Sequence, residues 1–271
     1  MTREEFLKTI PTLKKVYMLF SNYTKAPYVS CHPETFDDEV AIYLNKEEAQ
    51  NVAQQMTAAK ENAFVAEIAQ DSMLQMFTNL HLYGINAVEY MTEDDRIMFQ
   101  LDEIINVPDP ASMPEDKRPV QNTSLHLCML YYMQEVRKKP EKPDIAKLRA
   151  MEEEMLVNVT RGNYMVPFTE VENDGEKSNQ MALVKIADNS MMIPIFTDPV
   201  EFGRFRGDNE LKYVALTFDK LATIPFPEEI KGLLINPSGV SVPITKEWIQ
   251  KLVAKAKEVK PEAKPVEKPE N

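Results

Sequence analysis

The sequence predicts an α+β protein made of two tandem pseudo-repeated modules, each a mixed β-sheet packed with helices. Three observations predict this class: strand-sized apolar runs alternate with amphipathic segments, hairpin signals occur in both halves, and four short segments recur in the same order. A length of 271 residues, with 44% hydrophobic and 27% charged residues, suits one large domain or two small ones.

Four pairs of short segments carry the repeat. Each pair shares aromatic or aliphatic strand residues, and its two members stand roughly 150 positions apart. The pairs are residues 17–20 with 164–168, 40–45 with 193–198, 63–66 with 212–215, and 83–86 with 233–236. We interpret them as two diverged copies of one unit. The predicted organisation is a first module over 1–101, a connector over 102–144, a second module over 145–258 and a tail over 259–271.

In the first module, hydrophobic periodicity and turn residues predict a brief helix, a strand, a hairpin, a helix, a strand, a helix and a strand-turn. The hairpin is expected across Pro33–Glu39. In chain order the elements are Phe6–Ile10, Val16–Phe20, Tyr28–His32 with Val40–Leu44, Lys46–Lys60, Phe64–Ala69, Ser72–Leu80 and Leu82–Tyr90.

In the second module, the helical spacing of Ile145, Leu148 and Met155 predicts the first helix. Thr197 or Asp198 is expected to cap a short helix, and Thr245 to cap the last one. In chain order the elements are helix Ile145–Val157, strand Asn163–Phe168, hairpin Met181–Ala187 with Met191–Phe196, the short helix from Pro199, strand Leu211–Phe218, a broken helix Asp219–Ile230, strand Gly232–Ile235, turn Asn236–Gly239, strand Val240–Val242 and a final helix.

The connector combines an acidic segment with an extra helix. Residues 91–116 carry eight acidic residues against Arg96 alone, which indicates either a solvated connector or a docking strip for a basic partner. Residues 106–119 contain four prolines and are expected to be irregular. A helix is predicted from Asn122 or Thr123 to the Lys138–Pro140 break. The tail is rich in Lys, Glu and Pro and is predicted to be disordered.

Composition excludes several classes of function. The net charge of −12 repels nucleic-acid phosphates and anionic lipid, so neither nucleic acid nor a membrane is an expected partner. Seven glycines are too few for phosphate-cradling loops, which argues against a nucleotide-binding enzyme. The two cysteines, Cys31 and Cys128, form no disulfide framework and indicate a cytoplasmic protein. Met1–Pro11 lacks the apolar run of a signal peptide, and no stretch is long enough to be a spanning helix.

Two motifs of the second module occur together, and a strand that contains tyrosine and proline precedes both of them in the sequence. They are MMIPIFTDP at Met191–Pro199 and GLLINPSG at Gly232–Gly239. As a pair they resemble the N-terminal domain of the SseB (enhanced serine sensitivity B) family, over roughly residues 145–257. In the first module the corresponding positions read Tyr43-Leu44-Asn45 and Asn86-Ala87-Val88-Glu89, so only the order of elements matches there. The resemblance implies a fold and a compartment, that of small cytoplasmic bacterial proteins, and it does not imply a reaction.

The two motifs supply the candidate ligand-binding residues Thr197, Asp198, Asn236, Ser238 and Gly239. The Thr197–Asp198 segment begins a helix, where exposed amides can bind an anion. The Asn236–Gly239 turn lies at a strand end, where it could contact a ligand. The alternative is structural: Thr197 or Asp198 caps its own helix, and the turn only joins two strands.

Catalytic chemistry has little support in the residues. The histidines His32, His81 and His126 match no zinc spacing, no Cys–His pair is aligned by spacing, and Ser238 lacks the flanking glycine pattern of a hydrolase elbow. No catalytic residue, metal or cofactor is therefore predicted, although an enzyme is not excluded.

The connector helix carries an apolar stripe. Met129, Tyr132 and Met133 must be covered by the two modules or by another chain, and we take them as a candidate partner interface.

The favoured function is a non-catalytic cytoplasmic interaction or regulatory module. It would bind another protein, or itself, through sheet edges, the acidic connector or the connector helix. The alternative is a small-molecule or anion-binding protein, or an enzyme, using the Asn236–Gly239 turn and the Thr197–Asp198 helix start. A deep pocket at those residues would favour the alternative, and a flat apolar patch around Met129 and Tyr132 would favour protein binding.

Overall fold

Strand β1 (Lys15–Ser21) organises the first half of the chain, because it pairs along both of its edges. The computed structural model describes residues 2–92, 95–107, 110–114, 117–173 and 176–259. The helices of the first half are α1 (Arg3–Thr9), α2 (Lys46–Ala58) and α3 (Gln70–Leu82). Its further strands are β2 (Ala26–Pro27), β3 (Ser30–Cys31), β4 (Asp38–Tyr43), β5 (Ala63–Ala69), β6 (Ala87–Met91) and β7 (Arg96–Gln100).

The first-half sheet has the principal order β5-β1-β4-β6-β7. β1 is antiparallel to β5 on one edge and to β4 and β2 on the other. β4 and β6 are parallel, β6 and β7 form an antiparallel hairpin, and β3 joins β4. Side chains alternate across β1, so Tyr17 and Leu19 pack against α2 while Val16 and Met18 enter the central core.

The connector contains α4 (Thr123–Lys138), and the second half follows with its own helices and strands. The helices are α5 (Ile145–Arg161), α6 (Pro199–Arg206), α7 (Phe218–Leu221) and α8 (Lys246–Val259). The strands are β8 (Asn163–Asn173), β9 (Glu176–Met181), β10 (Val184–Lys185), β11 (Met191–Ile195), β12 (Lys212–Thr217), β13 (Ile230–Ile235) and β14 (Val242–Thr245). The chain is thus a mixed α+β fold, as predicted.

Strand pairing in the second half follows the order seen in the first. β8 is antiparallel to β12 and β9, and an isolated bridge between Met165 and Phe196 joins it to the β11 end. β11 is parallel to β13, β13 is antiparallel to β14, and β10 joins β11. The two halves therefore share an order of strand pairings, while the duplication of one unit stays a prediction.

Several predicted elements differ from the structure. The match of residues 83–86 with 233–236 is wrong, because Tyr83 and Gly84 lie in the turn after α3 whereas residues 233–235 lie inside β13. The predicted strand-turn Leu82–Tyr90 starts as helix, and its strand begins only at Ala87. The broken helix predicted over 219–230 is reduced to the single turn of α7, and the strand after the Asn236–Gly239 turn begins at Val242.

Three strands were not anticipated: the two-residue β2, β7 and β9. β7 lies inside the acidic segment, where Phe99 is fully buried next to β6. β9 pairs with β8 in a long hairpin. It was not predicted because its residues are mostly polar, so the sequence shows no alternation of apolar and polar residues there.

Helix α4 lies between the two halves and contacts both. Its residues Leu125, Met129 and Leu130 belong to one large core cluster that also contains side chains from the first and the second half. Gln134 accepts a hydrogen bond from Val29 N–H (3.2 Å) and donates one to the Val29 carbonyl (3.0 Å). α4 therefore packs between the two halves, and its apolar stripe is covered by other parts of the same chain.

Arg137, near the end of α4, reaches both halves. Its guanidinium donates to the carbonyl of Tyr23 in the first half and to the carbonyl of Ser241 in the second, the latter at 3.0 Å. The helix ends at Lys138, within the predicted Lys138–Pro140 break, and Lys139 follows it in a left-handed conformation. Within the described ranges, no helix is both long and apolar enough to cross a bilayer. The predicted disordered tail, beyond Val259, lies outside the described residues.

Candidate functional site

The two sequence motifs of the second half meet at one edge of its sheet. Thr197 and Asp198 follow β11, and Asn236 follows β13. Because β11 and β13 are parallel neighbours, with Ile195 opposite Ile235, their carboxyl ends bring these side chains together. All three residues are fully buried.

The polar groups of the motifs are bonded to one another. The Thr197 N–H donates to Asn236 Oδ1 (3.1 Å), and Asn236 Nδ2 donates to Thr197 Oγ1 (2.8 Å). Thr197 Oγ1 donates in turn to Asp198 Oδ2 (2.7 Å). Asn236 adopts a positive φ of 49°, which asparagine tolerates better than most residues and which turns its side chain back onto Thr197. Such mutual bonds satisfy groups that would be costly to bury alone.

Asp198 is also the cap of α6. Its Oδ1 accepts hydrogen bonds from the N–H groups of Val200 (2.9 Å) and Glu201 (3.0 Å). A carboxylate thus already occupies the place at the helix start where an anion would bind, and it uses the amides that the anion would need.

His126 of α4 joins this cluster from the connector. Its Nδ1 lies 3.2 Å from Asp198 Oδ2 and 3.3 Å from Thr197 Oγ1, and the ring is 1% exposed. Burial alone would raise the pKa of Asp198, but hydrogen bonds and charge from His126, the Glu201 amide and Thr197 hold that pKa below its usual range. We call Thr197, Asp198, Asn236 and His126 the buried junction.

The buried junction contains a hydroxyl, an imidazole and a carboxylate, the three groups of a hydrolytic triad. In a triad the nucleophile and the carboxylate contact opposite ring nitrogens, so that one nitrogen takes the proton of the nucleophile while the carboxylate orients the ring through the other. Here Thr197 and Asp198 both contact Nδ1 of His126, and all three side chains are buried. The arrangement therefore positions α4 against the second half and does not activate Thr197.

Glu201 extends the cluster toward the Asn236–Gly239 turn. Its Oε1 pairs with Arg204 at 2.7 Å, whereas its buried Oε2 finds no hydrogen-bond partner among the described residues. Burial raises the pKa of Glu201, and the charges of His126 and Arg204 oppose that rise only in part. Gly239 lies directly against this carboxylate, since a Cβ there would stand 2.3 Å from Oε2.

Of the five candidate ligand residues, three lie in the buried junction. Gly239 lies at the outer side of the buried junction, against Glu201, and Ser238 is exposed at the tip of the turn. Sequence reasoning missed His126, Glu201 and Tyr83, whose ring lies 4.4 Å from that of His126. A histidine on the apolar face of α4, one helical turn before Met129, was the available signal for the first of them.

The candidate interface on α4 is occupied within the chain. Met129 and Met133 are buried in the shared core. Tyr132 is partly buried, and its hydroxyl donates to Glu152 of α5 at 2.9 Å. The acidic segment is described only in part, and its described residues include β7.

Fold and junction define an α+β protein whose second half carries two linked motifs on neighbouring parallel strands. Residues 143–251 match the family model described as the SseB protein N-terminal domain. The predicted resemblance to the SseB family is thereby confirmed for the second half of the chain. No match to a curated protein was found.

Two solved structures are similar to this chain at low scores. Tic22 from Plasmodium falciparum has 13% identity and a TM-score of 0.23, with 94% of this chain and 99% of that chain covered. Anabaena Tic22 (protein transport) has 10% identity and a TM-score of 0.22, with 93% and 97% covered. Scores of this size do not establish a common fold.

Proposed function

We propose that the protein is a non-catalytic protein-binding module that accepts a partner strand at the open edge of β12. One observation carries this proposal: β12 is exposed on both faces, with five of its six residues exposed. Tyr213 is 49% and Val214 44% exposed, on opposite sides of the strand. Among the described strands β12 pairs with β8 alone, so its other edge presents unpaired backbone groups.

Strand β5, one of the edge strands of the first half, is partly covered by a helix. β5 also pairs with one neighbour, β1, but the 13-residue helix α2 packs against it, and three of its seven positions are partly buried. α6 has only eight residues, and Phe202 is its ring contact to β12, at 5.3 Å from Tyr213. β12 also lacks the features that protect natural edges, since it contains no proline or bulge and its single charge is at its first residue. Strand addition supplies affinity through backbone hydrogen bonds and specificity through exposed side chains.

Site-specific cross-linking in intact cells tests this function. A photoreactive phenylalanine at Tyr213 is expected to cross-link a second polypeptide, and Val214→Lys in the same chain should remove the product, because a lysine on an edge strand disfavours pairing. Val214 is already exposed, so the substitution should change the free energy of unfolding by less than about 0.5 kcal/mol.

The matched control uses Leu74, which is 67% exposed on α3 and is not part of β12. The photoreactive residue at Leu74 should give no product, and Leu74→Lys should leave the Tyr213 product intact. A product of twice the chain mass would identify self-association through the same edge. Equal products from positions 213 and 74, or a product insensitive to Val214→Lys, would show that β12 is not the binding site.

We further propose that the module works in the cytoplasm of a bacterial cell. Support comes from the cysteines, which are both free although Cys31 and Cys128 line the same groove, as expected in a reducing compartment. A membrane-impermeant maleimide should label the exposed Cys31 after lysis only. Labelling in intact cells would contradict this placement.

A further inference from the structure

A groove between the first half and the helix pair α4–α5 is separate from both the buried junction and β12. Its volume is about 530 Å³, within the range of small-ligand sites. Residues 28–31 form one wall, and α4 and α5 form the other. Val29, Leu127 and Met151 give it an apolar lining.

The charged groups that line the groove are mostly acidic. The lining contains three carboxylates, those of Asp38, Glu135 and Glu154, and one ammonium, that of Lys147. Glu135 is neutralised, because its Oε1 contacts Lys138 at 2.8 Å and Lys147 at 3.3 Å. Within the described ranges Asp38 and Glu154 form no ion pair, so the groove retains two uncompensated negative charges.

Aromatic and sulfur groups complete the lining without adding positive charge. The hydroxyl of Tyr131 donates to Asp38 Oδ1 at 2.7 Å, which orients that carboxylate at the groove wall. Burial, together with the neighbouring Glu154, raises the pKa of Cys128 to about 12, so its thiol is neutral at physiological pH. Tyr28 and Tyr131 also line the groove, and aromatic rings can attract cations.

From these observations we infer that the groove binds a small aliphatic cation, an amine or a guanidine. Its hydrocarbon chain would lie on Val29, Leu127 and Met151, and its charged heads would contact Asp38 and Glu154. Two separated carboxylates favour a ligand with more than one cationic head over a simple monoamine. The same charges exclude anions.

Calorimetric titration of the full chain with putrescine, spermidine and agmatine tests the inference. We expect saturable binding of one molecule per chain for at least one of them. 1,4-Butanediol, which has the shape of putrescine without its charge, should not bind. Saturating cation should also raise the melting temperature, since a ligand that binds only the folded state stabilises it.

Conservative variants locate the site. Asp38→Asn and Glu154→Gln should each weaken binding about tenfold, as expected for the loss of one hydrogen bond to a charged group. Glu153→Gln is the matched control, because Glu153 is exposed on the same helix but does not line the groove. Unfolding curves of all three variants should show that each is folded before it is titrated.

Three results would overturn the inference. One is the absence of saturable binding for all three cations up to millimolar concentration. A second is an equal loss of affinity in Glu153→Gln and Glu154→Gln, which would indicate attraction by the overall negative charge. The third is tighter binding of a capped pentapeptide with a central lysine than of any free amine, which would assign the groove to a peptide.

Discussion

Asn45 caps α2 and Asp198 caps α6, yet the surroundings of the two caps differ. Asn45 follows β4, is exposed, and accepts hydrogen bonds from the N–H groups of Glu47 (2.8 Å) and Glu48 (3.4 Å). Asp198 follows β11 and makes the same two cap bonds, but it is buried and also contacts His126 and Thr197. One residue therefore serves the helix alone, and the other also holds α4.

This difference predicts unequal losses of stability. Asn45→Ala should lower the free energy of unfolding by about 1 kcal/mol, the value of a surface cap. Asp198→Ala should lower it by about 3 kcal/mol or more, because His126 and Thr197 lose a buried partner as well. Urea unfolding of both variants measures the two values. Equal losses would mean that the contact with His126 adds nothing to the cap.

Glu201 offers a prediction of opposite sign. Its pKa is raised by burial, so the folded chain binds the proton more tightly than the unfolded chain does. The free energy of unfolding therefore falls as the pH rises through the unfolded pKa of about 4.3 toward the higher folded pKa. Glu201→Gln removes this pH-dependent loss of stability and should be more stable than the wild type at pH 7.

The gain should disappear at pH 4, where the wild-type carboxyl is largely protonated in both states. Asp198→Asn is the control, since its pKa is lowered and the charged form is the one that the fold stabilises. That variant should be less stable than the wild type at pH 7. A Glu201→Gln protein that is less stable at pH 7 would show that the Arg204 pair outweighs burial.

At the scale of elements, the helices and strands that could be predicted are those whose signals lie in neighbouring residues. Strands such as β1 and β5, and the cap Asp198, depend on neighbouring residues and could be predicted from them. β7 could not, because Arg96–Gln100 is surrounded by acidic residues and gains its strand character by pairing with β6.

The candidate site shows the same division. Thr197, Asp198 and Asn236 were identified because each ends or follows a recognisable strand. His126 was missed because its partner Asp198 lies 72 positions away, beyond any periodic pattern. The interface expected on Met129 and Met133 depended on what covers α4, and coverage is a tertiary property that spacing does not contain.

At the scale of the whole molecule, the two halves share one hydrophobic core. The main cluster joins Leu80 of the first half, Met129 of α4 and Ile235 of the second half, all fully buried, and Trp248 of α8 packs against it. Polar contacts of α4 reinforce this union, through His126 on one side and Gln134 on the other. A core that cannot be divided between the halves should unfold in one step.

Leu80→Ala tests this cooperativity from the first half. The substitution should lower the free energy of unfolding by about 2–5 kcal/mol, because it leaves a cavity in the shared core. Trp248, the single tryptophan, reports on the second half by fluorescence, while far-ultraviolet circular dichroism reports on the whole chain. Both transitions should move together to lower denaturant concentration. Leu74→Ala, at an exposed position of the same helix, should change the free energy of unfolding obtained from either transition by no more than about 0.5 kcal/mol. A tryptophan transition that stays in place while the dichroism becomes biphasic would show that the halves unfold independently and that α4 does not couple them.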